Sequence, residues 1–167
     1  MKYVNLSATI GEIDGVISPR EYLDRLPELC AALPEGAAAY AAEPGHYDFS
    51  SARCVHDLKL DQLLSGEDDD GAWMQLGLRH NCWKHEEDLA IRYAGVVSFT
   101  LQIASDMPRV TRLGEVILDE VLPHPDGCAH EIACHPGSIS IVCRDLSATW
   151  VEADCPDKPL KTDLERG

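Results

Sequence analysis

Residues 128–141, CAHEIACHPGSISI, place two cysteines and two histidines within eight residues and then alternate serine with isoleucine. Cys128, His130, Ile132 and Cys134 stand at every second position, so that on a β-strand they would share one face. The HPG sequence that follows them is typical of a turn between two strands. The stretch therefore predicts a β-hairpin with cysteine and histidine side chains on one face.

Strand-length runs precede this hairpin at similar distances. Residues 115–122, EVILDEVL, lead into the turn PHPDG, and residues 54–60, 72–80 and 89–103 alternate apolar with polar side chains as half-buried strands do. Gly95 interrupts the longest of these runs and predicts a bulge or bend there. Most of the chain after residue 54 is therefore expected to form antiparallel strands.

The N-terminal third contains the clearest helix signal. Residues 18–21, SPRE, form a capping box with proline at the first helical position, and apolar residues at helical spacing continue to Leu33. Pro27 is expected to kink or shorten this helix. The patterns together predict an α+β fold, a curved antiparallel sheet of six or seven strands (a meander) with an N-terminal helix packed on one face.

The length of 167 residues is typical of one domain. We assign residues 1–154 to a single α+β domain. Residues 155–167, CPDKPLKTDLERG, contain few apolar side chains, and we expect them to form a mobile C-terminal tail.

Charge is the strongest global signal. The chain carries 14 Lys and Arg against 29 Asp and Glu, a formal net charge of −15 at pH 7. Such a field repels phosphate backbones and anionic lipids, which argues against nucleic-acid and membrane partners and favours a basic protein partner. The alternative is that the acidity serves only solubility.

Cysteine usage and the N-terminal residues bear on the cellular compartment. The seven cysteines are an odd number without framework spacing, which favours reduced thiols over a disulfide scaffold. The first residues, MKYVNLSATIGEIDG, lack the apolar core of a secretory signal. We therefore expect a cytoplasmic protein.

Cys128, His130 and Cys134 are the candidate metal ligands, because zinc accepts thiolate and imidazole ligands. Side chains two residues apart on one strand lie roughly 6–7 Å apart, however, which is awkward for ligands of a single ion. No CxxC pair occurs in the sequence. We therefore expect no cofactor, and buried cysteines beside a hydrogen-bonded histidine, with zinc as the alternative.

Two parts of the sequence, residues 54–60 and residues 113–150, resemble a group of small bacterial β-rich proteins of unassigned function. Some of these resemble immunity proteins of polymorphic toxin systems. The resemblance covers about the last two-thirds of the chain, and it implies a β-rich fold and an inhibitory binding function. The matching positions are His56, Asp57, Asp119, Glu120, His130, Ile132, Ile139, Ile141, Cys143 and Asp145.

The leading hypothesis is a non-enzymatic acidic binding protein, possibly an immunity-type inhibitor of a basic toxin or nuclease. Acidic side chains attract a basic partner, and an aromatic residue among them could anchor it. The candidate contact residues are Glu67, Asp68, Asp69, Asp70, Trp83, Glu86, Glu87 and Asp88.

Two other functions remain open from the sequence. A small metal-dependent or Cys/His enzyme would use His56, His130, Cys134 and His135, which would have to converge in a concave pocket. A subunit of a larger assembly would instead show an exposed apolar patch.

Overall fold

The computed structural model describes residues 1–103 and 114–154. Its ten elements are the strands and helices β1 (Asn5–Ile10), β2 (Ile13–Ser18), α1 (Arg20–Ala32), α2 (Glu35–Ala41), β3 (Lys59–Asp68), β4 (Gly71–Arg79), β5 (Glu87–Ile103), β6 (Val116–His124), β7 (Gly127–Cys134) and β8 (Gly137–Glu152). The predicted C-terminal tail, residues 155–167, lies outside the described residues.

The main sheet has six antiparallel strands in the order β3-β4-β5-β8-β7-β6. Two three-stranded meanders, β3-β4-β5 and β6-β7-β8, are therefore joined through the long central strands β5 and β8. The antiparallel sheet of six or seven strands is confirmed, but its strand order is not that of one continuous meander. The predicted hairpin around residues 128–141 is confirmed as β7 and the start of β8.

A bulge interrupts the pairing of the two central strands. Gly95 has φ of +61°, and the register with β8 shifts between Val96 and Ser98. A Cβ atom at Gly95 would stand 3.0 Å from the Cβ of Arg144, so the position favours glycine by both conformation and space. The bulge predicted at this glycine is confirmed.

The two outer strands of the sheet meet at one end. Lys59 at the start of β3 bridges Glu115, just before β6, and the Val116 N–H donates to the Leu58 carbonyl at 2.7 Å. In a flat six-stranded sheet these strands would lie five strand spacings, about 24 Å, apart. The sheet therefore closes on itself at this end.

The N-terminal elements differ from the prediction in several ways. Ser18 is the last residue of β2 and pairs with Asn5, so Pro19 takes the N-cap position and no side-chain cap forms. Helix α1 runs through Pro27 to Ala32. A second helix, α2, and the β1–β2 hairpin were not predicted, and residues 54–58 form turns rather than a strand.

Helix α2 packs against β8, and α1 packs against α2 and β6. The buried residue of α1 is Tyr22 rather than its leucines, since Leu23 is 40% exposed. The Tyr22 hydroxyl donates to the Val121 carbonyl of β6 at 2.8 Å. The core lies between these helices and the inward faces of the sheet strands.

In the described part of the chain, no helix has the length and apolar composition needed to cross a membrane.

Candidate functional site

A buried carboxylate on β6, Asp119, binds side chains from three other parts of the chain. Its Oδ2 accepts a hydrogen bond from the Tyr40 hydroxyl at 2.8 Å and lies 2.9 Å from Nε2 of His130, and its Oδ1 lies 2.7 Å from Nε2 of His46. Asp119, His46 and His130 are each at most 1% exposed. We call these residues, with Tyr93, the Asp119 network.

The ionisation of Asp119 determines which atoms of the network donate hydrogen bonds. Burial works to raise the pKa of the Asp119 carboxyl, but the two adjacent histidines hold it well below its usual range. An ionised carboxylate only accepts, so both histidine Nε2 atoms must donate to it. Nδ1 of His130 lies 2.8 Å from the Tyr93 hydroxyl.

The network is enclosed by the fold. Burial raises the pKa of the Tyr40 and Tyr93 hydroxyls, and Asp119 adds to both shifts, so both remain protonated donors. Tyr40 lines a surface cavity of about 180 Å³ between α2 and β8, whereas Asp119, His46, Tyr93 and His130 are each at most 1% exposed. The network joins α2, the following loop and the sheet.

Two further carboxylates of the sheet hold backbone amides. Glu120, 1% exposed, accepts from the N–H groups of Lys2, Tyr3 and Val4 at 2.6–2.7 Å. It therefore fixes the N-terminal segment on β6.

Asp145 on β8 does the same for a helix. Its carboxylate accepts from the Gly36 N–H at 3.1 Å and the Ala37 N–H at 2.9 Å, in the first turn of α2. A Cβ at Gly36 would collide with the Leu146 carbonyl, so the close approach requires glycine. Asp145 thus caps α2 from the sheet.

The polar residues among the ten matching positions named in the sequence analysis all have internal partners. Asp119, Glu120, His130 and Asp145 hold the contacts above. Nδ1 of His56 lies 2.7 Å from the Ile117 carbonyl, and Asp57 lies 3.7 Å from Nζ of Lys84. The apolar members of the set, Ile132, Ile139, Ile141 and Cys143, are buried. The residues at these positions therefore stabilise the fold.

The predicted acidic contact residues lie in two separate places at the surface. The first is the tip of the β3–β4 hairpin, where Glu67, Asp68, Asp69 and Asp70 are all exposed. One of them, Asp68, lies 3.5 Å from the Arg92 guanidinium, which stacks on Trp73. We call these four residues the hairpin tip.

The second group surrounds a surface cleft of about 700 Å³ at the opposite end of β4 and β5. We call it the acidic cleft; it is lined by Pro44, Ser51, Ala52, Arg53, Glu86, Glu87, Glu152, Ala153 and Asp154. Glu87 and Glu152 are directly opposed across β5 and β8. Arg53 binds Glu87 at 2.8 Å and lies 3.6 Å from Glu43.

The structure therefore separates the predicted contact residues. The hairpin tip and the acidic cleft stand at opposite ends of β4, a nine-residue strand about 27 Å long. Trp83, in the loop that leads to the cleft, is 73% exposed. Asp88 is engaged within the chain instead, because its Oδ1 accepts a hydrogen bond from the His80 N–H at 2.8 Å and lies 2.6 Å from Nδ1 of the His80 ring.

The candidate metal ligands share the predicted face, and all three are buried. His130 is occupied by Asp119 and Tyr93, and burial raises the pKa of the Cys134 thiol to about 11. Over residues 1–103 and 114–154, no group of His, Cys, Asp and Glu has an arrangement that could hold a metal ion.

Within the described residues, His56, His130, Cys134 and His135 share no hydrogen bond with one another. His135 is exposed at the turn after β7, whereas His56 is held by the Ile117 carbonyl and lies 3.4 Å from Asp57. Cys30, Cys54, Cys128, Cys134 and Cys143 are free thiols. The expectation of reduced thiols does not hold for Cys82, which is disulfide-bonded.

An apolar groove of about 330 Å³ lies on another part of the surface. Its apolar lining is Leu60, Leu63, Phe99, Leu101 and Ile139, and Leu63, Phe99 and Leu101 are each more than a third exposed. It faces the end of the sheet where β3 and β6 meet.

The Asp119 network and the role of Glu120 were not predicted from the sequence. The available signal was the pair Asp119-Glu120 inside the apolar run VILDEVL, because adjacent acids on a buried strand need internal partners. His46 and Tyr40 gave no comparable signal, since their contacts with Asp119 span 73 and 79 residues.

No protein-family model and no curated protein matches the sequence.

Proposed function

We propose that this chain is a non-enzymatic acidic binding protein that inhibits a basic protein, as immunity proteins inhibit toxins. The observation that carries the proposal is the acidic cleft. It combines four acidic lining residues and one arginine with an exposed tryptophan in the adjacent loop.

The charge arrangement of the cleft favours a cationic partner. Like charges directly opposite on neighbouring strands, such as Glu87 and Glu152, destabilise the pairing unless a cation compensates them. Arg53 contacts Glu87 and Glu43. A lysine or arginine of the partner would supply further compensation, and the cleft is large enough for such a side chain.

Trp83 is the residue that we expect to anchor the partner. Tryptophan is enriched among the residues that dominate binding energy at interfaces, and Trp83 keeps 73% of its surface exposed. A standard interface buries about 800 Å² per partner, a patch roughly 30 Å across. Trp83 precedes Glu86 by three residues, so the cleft and Trp83 can share such a patch.

A subunit role in a larger assembly is the second candidate, and the apolar groove favours it. Exposed leucine and phenylalanine side chains on one groove are typical of surfaces that contact another protein. The two candidates use different surfaces, so one experiment separates them.

The test captures partners from cells that express the full chain, with three variants beside the wild type. Glu86→Lys/Glu152→Lys alters the cleft, Asp69→Lys/Asp70→Lys makes the same charge change at the hairpin tip, and Leu101→Gln alters the groove. A basic protein retained by the wild type and the tip variant but lost by the cleft variant supports the proposal. Its binding should also weaken with added salt.

Other outcomes contradict it. A partner lost only by Leu101→Gln would support the subunit role. A partner bound equally by wild type and cleft variant would reject the acidic cleft as the contact surface. If the basic partner is a nuclease, its activity should fall on addition of the wild-type chain and recover with the cleft variant.

A further inference from the structure

Two buried thiols face each other across the centre of the second meander. Cys128 of β7 and Cys143 of β8 are directly opposed in the antiparallel register, and their Sγ atoms are 3.5 Å apart. Both are free and both are 0% exposed. Within the described residues, no other hydrogen bond joins two of the free cysteines.

The backbone geometry of this pair already suits a disulfide. Directly opposed residues of antiparallel strands have Cα atoms about 4.5–5.5 Å apart, which lies within the range that disulfides span, about 4.4–6.8 Å. Rotation of the two side chains about χ1 could bring the sulfur atoms to bonding distance without a change in strand pairing.

We propose that Cys128 and Cys143 form a redox site, a dithiol that a small hydroperoxide converts to a cross-strand disulfide in the folded protein. The site is independent of the proposed partner surface. Its chemistry requires only the two thiols and the peroxide.

The hydrogen bond between the thiols favours a thiolate on one of them, because the S–H of one cysteine stabilises a thiolate on the other. Either sulfur can be the donor, so either can be the attacking sulfur.

The reaction proceeds in two steps. The thiolate of one cysteine attacks one peroxide oxygen, the O–O bond breaks, and the products are a sulfenic acid on that cysteine and hydroxide, which takes up the proton that the attacking thiol lost. The sulfur of the other cysteine then attacks the sulfenic sulfur and displaces water, leaving the disulfide. One peroxide is reduced to two waters, and two thiols are oxidised. A small oxidant is required because both sulfurs are buried.

The experiment exposes the folded full-length chain to hydrogen peroxide, removes the peroxide with catalase and alkylates the remaining thiols after denaturation. Intact mass and peptide mapping then identify the cysteines that escaped alkylation. We expect loss of two alkylated thiols, mapped to a peptide pair linked through Cys128 and Cys143, with recovery on treatment with dithiothreitol. The linked form should unfold at a higher Tm, by roughly 5–10 °C, because the bond closes a hairpin loop of about 15 residues.

Matched variants and a denatured control test the role of proximity. Cys134→Ser, at a buried thiol of the same strand, should keep the link, while Cys128→Ser and Cys143→Ser should each abolish it. In guanidinium the link should form more slowly and in mixed pairings. The proposal is overturned if the wild type shows no link, if another pair forms first, or if the folded and denatured chains link equally fast.

Discussion

Carboxylates serve two different purposes in this chain, and the buried and exposed groups can be compared directly. The buried Asp119 and Glu120 and the half-buried Asp145 each accept two or more hydrogen bonds from donors elsewhere in the chain. At the hairpin tip, four consecutive acids are exposed, and one of them has a cationic neighbour at 3.5 Å.

The difference shows that position rather than number determines what a negative charge does in this fold. A buried carboxylate is tolerated only when donors replace the water it loses, so each buried acid fixes the elements that supply those donors. An exposed acid keeps its water and adds instead to the field that a partner meets. Mutations at the two kinds of site should therefore separate stability from binding.

Asp119→Ala should have the largest effect. It removes the acceptor of Tyr40, His46 and His130 at once, leaving buried donors without partners, and we expect a loss of about 3–5 kcal/mol in the free energy of unfolding. Urea unfolding followed by circular dichroism measures it. Asp69→Ala makes the same chemical change at the surface and should alter the free energy by less than about 0.5 kcal/mol. Similar losses in both variants would contradict the comparison.

Glu120→Gln should have an intermediate effect. The amide retains one acceptor oxygen but loses the charge that three backbone N–H groups of the N-terminal segment share, for a loss of about 1–3 kcal/mol. Hydrogen exchange at Tyr3 and Val4 should become faster in the variant. Glu115→Gln, at an exposed glutamate of the same sheet end, is the control and should leave this exchange unchanged.

Acidification should weaken the fold in two stages. His85 is buried, its Nε2 lies 2.9 Å from the Cys54 carbonyl, and burial lowers its pKa. Below about pH 6.5 the unfolded chain therefore binds a proton that the folded chain resists, and stability falls. Asp119 has a folded pKa below its unfolded value, so its contribution is fully present above about pH 4 and is lost as the pH falls further.

Unfolding free energies at pH 7, 5.5 and 4 measure the first stage. His85→Gln keeps a donor for the Cys54 carbonyl without an ionisable ring, so it should flatten the change between pH 7 and 5.5. His135→Gln, at an exposed histidine, should leave that change as in the wild type. Equal slopes in the wild type and His85→Gln would show that another group governs this range.

Features of the fold that depend on neighbouring residues could be predicted from the sequence, whereas features that depend on distant residues could not. Strands β4 to β8 follow from local alternation and turn residues, and the Gly95 bulge follows from one glycine in a long apolar run. The capping box predicted at residues 18–21 does not form, because Ser18 pairs with Asn5 in the β1–β2 hairpin. That pairing depends on residues outside the motif. The pairing of β5 with β8 and the partners of Asp119 depend on contacts between distant residues, for which a single sequence gives no periodic signal.

The smallest effect on stability is expected at the acidic cleft. A variant there tests most directly whether exposed acids serve binding rather than stability. Glu86→Lys/Glu152→Lys should change the free energy of unfolding by no more than about 0.5 kcal/mol, because both side chains are exposed. The same variant should lose the basic partner, since rim charges govern the rate of encounter and its salt dependence. Unfolding and binding measured on one preparation test both expectations. A cleft variant that unfolds would place these acids with Asp119 as structural groups, whereas a stable variant that no longer binds would assign them to recognition.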